Sequence, residues 1–481
     1  PLLLLALLPQ RQITAAETQV NDVRVVIDVS GSMKHNDPNN LRAPAMRMLI
    51  GLMPEEAQSG VWTFARMVNM LVPWQGVNDD WRQRAIEQSV KIHSHGLFTD
   101  IEKALQKATA NQKKADSQFR RSMILLSDGF VDIEPDKAAS QASRQRILDK
   151  LVPQLKALNL TVHTIALSDK ADHELLKALS MATDGWYRQA NSAGDLQRIF
   201  LHLFEEATDR DNVPLADNQF KIDSSVEQMT VLAFRQPGTD ATKLRLPDGT
   251  LIGREQQSDQ IRWLHENNFD LITIDNPASG RWQINAELDP DNRVMVVTDM
   301  QLQTSDLPNN VLVGENFDFE TRLTEKGETI TRPEFLALVE GTLLHQQGSD
   351  SAQLALNRKG DESIYRTSLG AGFEPGRNDI VVTMKSATFE RQRRQSINVI
   401  AAPVNIDVSQ LDQPARSHRI EVQTDTQLIN PDSLTITALL REENGSEWPY
   451  DMLKTDDNNW RLTLTDLAPE QEYALSLQLR G

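Results

Sequence analysis

The chain has 481 residues, carries 50 basic and 68 acidic side chains for a net charge of −18, and contains no cysteine. This length predicts several domains, and the missing cysteines exclude a disulfide scaffold, a thiolate zinc site, an iron–sulfur cluster and a cysteine nucleophile. The acidic balance argues against nucleic-acid binding, which needs a basic surface to release the counterions of the phosphates. Residues 1–210 carry equal numbers of acidic and basic side chains, so the negative excess lies in the remainder.

The extreme N-terminus has the pattern of a secretory signal. Leu2–Leu8 is an almost pure Leu/Ala run, and small residues at 14–16 precede Glu17. We interpret residues 1–16 as the remnant of a signal peptide, and the alternative is the stub of a truncated membrane anchor. Both interpretations predict an exported protein, in the periplasm or at the cell surface. A membrane anchor after Gly481 stays open as a further alternative.

Strand-like and helix-like runs alternate between residues 17 and 210. Val23–Val29 and Arg121–Ser127 are continuous apolar runs of the kind found in strands buried on both faces. The other predicted strands are Gly60–Ala65, Leu160–Leu167 and Gly185–Gln189, and the predicted helices are Pro44–Met53, Asp80–Val90, Asp100–Ala110, Ile147–Leu158, Ala171–Met181 and Ser192–Ala207. The alternation predicts a parallel, doubly wound α/β sheet of the Rossmann-like class, which binds ligands outside the carboxyl ends of its strands.

Five oxygen-bearing side chains converge at one predicted edge of this sheet. Asp28, Ser30 and Ser32 follow the first strand, Asp128 follows a second central strand, and Thr99 lies in a loop just ahead of a helix. Two carboxylates and three hydroxyls suit a hard divalent cation, for which Mg²⁺ is the first candidate and Ca²⁺ or Mn²⁺ the alternatives. Because three of the five ligands are neutral, the cation would stay attractive to an Asp or Glu of a partner protein.

The five residues form a recognisable pattern: Asp-x-Ser-x-Ser, then a Thr before a helix, then an Asp after a strand. The pattern resembles the von Willebrand factor type A (vWA) domain and its metal-ion-dependent adhesion site, and all five positions match. The resemblance implies that Ser30, Ser32 and usually Thr99 contact the ion directly. It implies that Asp28 and Asp128 act directly or through water. The alternative interpretation of the DVSGS segment is a simple helix-capping turn.

Residues beside the predicted site are candidates for the rim that contacts a partner. This predicted ligand rim consists of Lys34, His35, Asp37, Phe98 and Asp132. Asp37 is also a candidate cap for a helix that begins near Pro38. His93 and His95 precede the Thr99 loop, and we favour a plain loop there over a pH-sensitive gate or a metal-binding pair.

Enzyme signatures are incomplete in this chain. A phosphatase of the haloacid dehalogenase type needs a second carboxylate two residues after its nucleophile, and position 30 is Ser. No glycine-rich nucleotide-binding motif follows a strand, and His173-Glu174 and His265-Glu266 lack the second His of a zincin. We therefore expect no enzymatic activity and keep a metal-dependent hydrolase as the weakest alternative.

After Arg210 the pattern changes to short alternating strands separated by turn pairs such as Asp248-Gly249 and Asn430-Pro431. We predict that a vWA domain at 17–210 is followed by a stalk of three β-sandwich domains of immunoglobulin-like or fibronectin-like type. The predicted β-sandwich domains span 211–300, 301–401 and 402–481.

Short phrases of the first predicted β domain resemble the β-sandwich that follows the vWA domain in calcium-activated chloride channel regulators. These phrases are Ile222–Val226, Leu246–Gly249 and Asn276–Trp282. The protease motif of those regulators is absent, so the resemblance implies no proteolytic activity.

Local clusters in the β region have a functional and a plain interpretation. The basic run Arg391, Arg393 and Arg394 is either an anion-binding spot or, as we favour, a solvated strand face. Asp289–Asn292 and Asp456–Asn459 are either calcium loops or, as we favour, ordinary turns.

These features together predict a non-enzymatic protein of the cell envelope that binds a protein partner through a divalent cation, as an adhesion or assembly scaffold. The alternative from another class is a regulatory subunit of a membrane channel, transporter or ATPase complex. The two hypotheses share the predicted metal site and differ in the partner.

Overall fold

A computed structural model describes residues 19–480 except 209, 237, 359, 361, 402–403, 412–415, 425–433, 443–445, 466 and 469–472. The predicted signal segment and the predicted Asn430-Pro431 turn lie outside the described residues. Within the described ranges, no helix is both long and apolar enough to cross a bilayer.

The first part of the chain, here called the head, is an α/β domain. Its strands are β1 Val20–Asp28, β2 Gln58–Phe64, β3 Val68–Gly76, β4 Phe119–Ser127, β5 Leu160–Ala166 and β6 Tyr187–Gln189. Its helices are α1 Met33–Asn36, α2 Arg42–Leu52, α3 Asp79–Ser89, α4 Ile101–Ala108, α5 Lys137–Arg146, α6 Val152–Ala157, α7 His173–Ala182 and α8 Ala193–Ala207, with a π-helical turn at Ile147–Leu151 between α5 and α6.

The six head strands form one sheet in the order β3-β2-β1-β4-β5-β6, and every neighbouring pair is parallel except β2 and β3. β1 lies in the middle of the sheet, where Val25 and Val26 contribute to hydrophobic cores on opposite faces. A strand covered on both faces needs a continuous apolar run, so the predicted α/β doubly wound fold is confirmed.

The edge strand β3 is not among the predicted strands. It is antiparallel to β2 and contains Pro73 and the exposed residue Met70. Polar residues and a proline are tolerated because an edge strand pairs on one side only. The same residues make this segment resemble a loop in the sequence.

The remainder of the described chain is built almost entirely of antiparallel strands, with one short α-helix, α9 Pro333–Leu336, and a 3₁₀ turn at Arg254–Gln256. Between residues 211 and 304 the strands are β7 Asp211–Asn212, β8 Gln219–Ile222, β9 Val226–Phe234, β10 Lys243–Arg245, β11 Leu251–Ile252, β12 Ile261–His265, β13 Phe269–Asp275, β14 Gly280–Asn285, β15 Arg293–Thr298 and β16 Met300–Thr304. Between 310 and 400 they are β17 Asn310–Leu312, β18 Phe317–Glu325, β19 Glu328–Thr329, β20 Glu340–Gln347, β21 Asp350–Leu356, β22 Tyr365–Leu369, β23 Gly376–Lys385 and β24 Glu390–Ile400. The last group is β25 Val404–Leu411, β26 Ser417–Thr424, β27 Thr435–Glu442, β28 Glu447–Asp451, β29 Leu453–Lys454, β30 Asn459–Leu464 and β31 Tyr473–Arg480.

One ten-stranded sheet contains strands from both sides of the predicted domain boundary at residue 300. The connection is the short strand β7, in which Asn212 pairs with Met295 of β15 and with Gln392 of β24. The strands after residue 403 form two separate small sheets, β25-β26-β30-β29 and β28-β27-β31. The first two predicted β domains are therefore joined by backbone pairing.

The head packs directly against this large sheet. Leu232, Phe269 and Leu271 of the sheet belong to the same hydrophobic core as residues of α2 and α8. Ion pairs surround this contact, between Arg47 and Glu266 at 2.5 Å and between Arg293 and Glu205 at 2.7 Å, and Arg198 pairs with Asp289 and Asp291. The shared apolar core stabilises the contact between the head and the β region, and the surrounding ion pairs, mostly partly buried, fix its geometry.

The structure tests the predictions for three local clusters of the β region: the basic run Arg391–Arg394 and the acidic segments Asp289–Asn292 and Asp456–Asn459. Arg391 and Arg393 are buried, so neither a solvated strand face nor an anion-binding surface spot describes them, and both interpretations are wrong there. Asp289 and Asp291 pair with Arg198 rather than forming a calcium loop, and Asp456 accepts hydrogen bonds within its own turn, from Asn458 N and Asn459 Nδ2.

Candidate metal centre

The candidate centre begins where β1 ends. Asp28 is fully buried, and its Oδ1 accepts a hydrogen bond from the backbone N of Ser30 at 2.8 Å. Its Oδ2 accepts a second bond from Ser127 Oγ at 2.7 Å, so the carboxylate is held from both sides. Helix α1 starts directly after Ser32, whose side chain is exposed. The turn between β1 and α1 therefore places one buried carboxylate beside one hydroxyl that solvent can reach.

A chain of hydrogen bonds connects this turn to the end of β4. Ser30 Oγ and Ser32 Oγ lie 3.0 Å apart, and Ser32 Oγ donates to Asp128 Oδ1 at 2.8 Å. The second oxygen of Asp128 accepts from Asn36 Nδ2 at 2.9 Å. Four of the five predicted ligands thus lie in one hydrogen-bonded cluster, because β1 and β4 are adjacent parallel strands that end at the same edge.

Thr99 reaches the cluster from the loop before α4. Its backbone N donates to Asp132 O at 2.6 Å, and Asp132 N donates back to Thr99 O at 3.1 Å. Gly129 lies between the hydroxyls: a Cβ added there would be 3.7 Å from Thr99 Oγ1 and 3.9 Å from Ser32 Oγ. A side chain at this position would therefore contact both hydroxyls.

The two carboxylates make the centre electrostatically unfavourable on its own. Burial, and then the charge of Asp128, raise the pKa of Asp28 to about 6. Such a shift means that the ionised form of Asp28 is poorly stabilised by its surroundings. Two carboxylates and three hydroxyls fit a hard divalent cation, whose charge would offset both the burial of Asp28 and its repulsion from Asp128. In the described part of the chain no group of three or more His, Cys, Asp or Glu side chains is arranged to hold a metal ion, so the hydroxyls are needed to complete a ligand set here.

The predicted rim residues divide into exposed and buried members. Lys34, His35 and Asp132 are exposed, and Phe98 is half-buried with the guanidinium of Arg66 5.6 Å from its ring centre. These four are accessible and lie close in the chain to predicted ligands, so their place in a ligand rim stays a prediction.

The prediction that Asp37 belongs to the ligand rim is wrong. Its side chain is buried, pairs with Arg42 Nε at 2.6 Å and accepts a hydrogen bond from Leu41 N at 2.6 Å. The bond to Leu41 supports the start of α2, which begins at Arg42 rather than near Pro38. A buried, paired carboxylate at this position stabilises the fold and does not face a partner.

Arg42 is the supporting residue that the sequence did not reveal. Its side chain is fully buried, and it donates to Asp28 O at 2.6 Å and to Ser94 Oγ at 2.8 Å in addition to Asp37. It therefore ties the end of β1 to the loop that leads to Thr99. An arginine at the start of a predicted helix is ordinarily solvated, so no sequence signal marked this role.

His93 and His95 lie together in the exposed loop before Thr99. Both side chains are exposed, their ring centres are 5.2 Å apart, and His93 Nδ1 accepts from the backbone N of His95. This contact engages Nδ1 of His93 in the hydrogen bonding of its own loop. The favoured interpretation, a plain loop, agrees with the geometry.

Gly96 positions the Thr99 loop, and we predict that Gly96→Ala disturbs the centre. Gly96 N donates to Val29 O at 2.9 Å, and an added Cβ would lie 2.3 Å from Ala65 Cβ and 2.8 Å from Val29 O. The loop must move away from β1, which we expect to cost about 1–3 kcal/mol of unfolding free energy, measured by urea titration. Gly194→Ala in α8 is the control: its nearest neighbouring atom is 3.9 Å away, and alanine favours a helix. Equal stability of the two variants would contradict this account.

Residues 22–201 match the family model of the von Willebrand factor type A domain. Together with the α/β fold, this match shows that the head is a vWA domain, and the predicted resemblance is confirmed to that extent. No curated protein matches the chain.

Solved structures similar to the chain include a von Willebrand factor type A protein from Catenulispora acidiphila, with 13% identity and a TM-score of 0.34. The match covers 80% of this chain and 67% of that one. A second is proximal thread matrix protein 1 from the mussel byssus with a zinc-occupied MIDAS motif, at 15% identity and a TM-score of 0.30, covering 44% of this chain and 50% of that one. A third is the manganese-loaded TRAP protein of Plasmodium vivax, at 17% identity and a TM-score of 0.29, covering 40% and 74% respectively.

Proposed function

We propose that the head binds a divalent cation, with Mg²⁺ as the first candidate, through Asp28, Ser30, Ser32, Thr99 and Asp128. The bound cation supplies a positive charge that attracts an acidic side chain, and a protein partner contributes that Asp or Glu. The protein then acts as an exported adhesion or assembly scaffold without enzymatic activity. The observation that carries this proposal is the hydrogen-bonded cluster of hydroxyls and carboxylates at the carboxyl edge of β1 and β4.

The exposure of the cluster supports a role in binding a partner. Asp28, Ser30 and Asp128 are buried, whereas Ser32 is exposed, so solvent reaches the cluster at Ser32. Buried groups hold the Ser32 hydroxyl in position: Ser30 Oγ contacts it, and Asp128 Oδ1 accepts a hydrogen bond from it. An anchored, one-sided arrangement leaves room for an external ligand at a cation held there.

The firm contact between head and β region supports a scaffold. The hydrophobic core that includes α2 and α8 continues into β9, β13 and β15, so a force on the head passes into the large sheet through packed side chains. We infer that the β region holds the metal centre at a fixed position relative to the rest of the chain.

Calorimetric titration of the full chain with MgCl₂ tests the proposal. We expect one binding site in the wild type and at least about 100-fold weaker binding in Asp28→Ala, because a buried anionic group that faces the cation is lost. The matched control is Glu134→Gln, which removes an exposed acid from the loop after β4. Mg²⁺, Mn²⁺ and Ca²⁺ titrations that give the same affinity for wild type and Asp28→Ala would contradict the proposed site.

A pull-down from envelope extracts, with Mg²⁺ and with EDTA, then tests the partner. Capture of a surface protein only in the presence of Mg²⁺ supports an adhesion or assembly role. Capture of a channel, transporter or ATPase complex would instead assign the protein to regulation. Capture that EDTA leaves unchanged would contradict a cation-dependent partner.

A further inference from the structure

The loops around the candidate metal centre expose large apolar side chains as well as charged ones. Among the head residues that the structure describes, five large apolar side chains are exposed, and three of them lie in the loops that carry or adjoin the predicted ligands Thr99 and Asp128. These are Met67 at 62%, Leu97 at 70% and Phe130 at 62% exposure. Single exposed apolar residues are ordinary on a protein surface, but a group at the edge of a polar site is a feature of binding surfaces.

The sheet order places these side chains on two sides of the centre. Met67 lies in the turn after β2, and Leu97 is tied to that turn because its O accepts from Arg66 N at 2.7 Å. Phe130 follows the end of β4, directly after Gly129. Since β2 and β4 are the two neighbours of β1, the apolar side chains flank the end of β1 from opposite directions.

The spacing of these flanks matches a short stretch of chain. Two strands that are both neighbours of a third lie about 10 Å apart, and an extended peptide rises about 3.3 Å per residue. When one side chain of a bound peptide lies at the end of β1, the peptide residues one or two positions before and after it therefore reach the flanks on both sides.

The charges around the centre limit how acidic this stretch can be. Lys34 and Arg66 are exposed near α1 and the β2–β3 turn, but Asp132 and Glu134 are exposed directly beyond Phe130. Additional carboxylates in the partner would meet these like charges on the β4 side. On the β4 side the surface thus disfavours any further acidic side chain beside the one that binds at the centre.

Building on the proposed function, we propose that the partner offers a segment with a single Asp or Glu and large apolar side chains within about two residues on both sides. The acidic side chain binds at the cation of the centre. Met67 and Leu97 contact the apolar side chain on one flank, and Phe130 contacts the one on the other. These three residues determine which acidic segments bind, whereas the five oxygen ligands hold the cation.

Selection from a displayed nonapeptide library tests this proposal. The library has a fixed central Asp and randomised flanks, and it is selected on the immobilised full chain in MgCl₂. We expect enrichment of Leu, Ile, Phe and Met within two positions of the Asp. An enriched peptide should bind Leu97→Ser/Phe130→Ser at least about tenfold more weakly than the wild type, because apolar contact area is lost from two side chains.

The control variant is Leu288→Ser/Leu338→Ser, which removes two exposed apolar side chains from the β region and should leave peptide affinity unchanged. Mg²⁺ titration of each variant separates the two proposals. A wild type that does not bind Mg²⁺ contradicts the proposed function itself. If Mg²⁺ binding is normal, three results would overturn the apolar-flank proposal alone. These are enrichment of polar flanks, the absence of any enriched peptide, and equal peptide affinity for wild type and Leu97→Ser/Phe130→Ser.

Discussion

Replacing Arg391 by alanine is expected to lower the free energy of unfolding of the β region by about 3–5 kcal/mol, as for other buried charges that lose their partner. The Arg391 side chain is fully buried and pairs with Asp223 at 2.6 Å. It also donates to Ser225 Oγ, Thr298 Oγ1 and the backbone O of Met300. The Arg391→Ala substitution removes all of these donors and leaves the partly buried carboxylate of Asp223 without its ion pair.

The pKa of Asp223 indicates how strongly the pair interacts. Burial acts to raise this pKa, yet the hydrogen bonds from Arg391 and Ser225 hold it below the usual range of an aspartate. In the Arg391→Ala variant Asp223 remains buried, but the arginine that stabilises its ionised form is missing. Part of the loss should therefore disappear when Asp223 is also changed to alanine.

Urea unfolding of both single variants and the double variant measures this coupling. We expect the double variant to lose clearly less stability than the sum of the two single variants. The control is Arg366→Ala, which breaks exposed ion pairs to Glu320 and Glu362 and should change little, since such pairs contribute little in water. Strictly additive losses for Arg391 and Asp223 would contradict a buried, coupled pair.

Replacing Asp211 by asparagine is expected to stabilise the protein at pH 8 by roughly 2–4 kcal/mol while changing little at pH 4. Asp211 is buried in the short strand β7, and burial raises its pKa to about 7. Its Oδ2 accepts from Leu302 N at 2.8 Å, but its Oδ1 has no partner among the described residues. The ionised side chain is therefore poorly satisfied in the folded state.

The direction of the pH effect follows from the raised pKa of this carboxyl. The unfolded chain releases the proton near pH 3.8, whereas the folded chain keeps it until about pH 7. The contribution of Asp211 to stability is complete below about pH 4 and is lost as the pH rises to about 7, because the folded state then holds more protons than the unfolded state. Asparagine does not ionise and removes this loss.

Thermal unfolding from pH 4 to pH 8 measures the difference between Asp211→Asn and wild type. Other titrating groups contribute equally to both proteins, so the difference isolates Asp211. Asp259→Asn, at an exposed position, is the control and should show no such trend. A difference that stays constant with pH would show that Asp211 keeps an ordinary pKa in the folded protein.

The candidate metal centre was largely predictable because its residues follow strand ends in a fold that the sequence itself indicates. Asp28, Ser30, Ser32 and Asp128 meet because parallel strands end at one edge of a sheet. Asp37 was misjudged because a short polar residue next to the motif looks exposed in a sequence, whereas Arg42 draws it into the interior. Burial of a charge depends on a partner that lies on another element.

The sequence by itself determined the α/β class of the head, the change to antiparallel strands after residue 210, and the residues of the candidate centre. These follow from local periodicity and from short motifs, which need no knowledge of distant contacts. Only the tertiary structure decided that β7 joins strands on both sides of residue 300, that the head shares a core with the large sheet, and that Arg391 is buried. Each of these three features depends on pairing or packing between residues that are far apart in the chain. A local sequence pattern does not indicate which distant residues will pack against that segment.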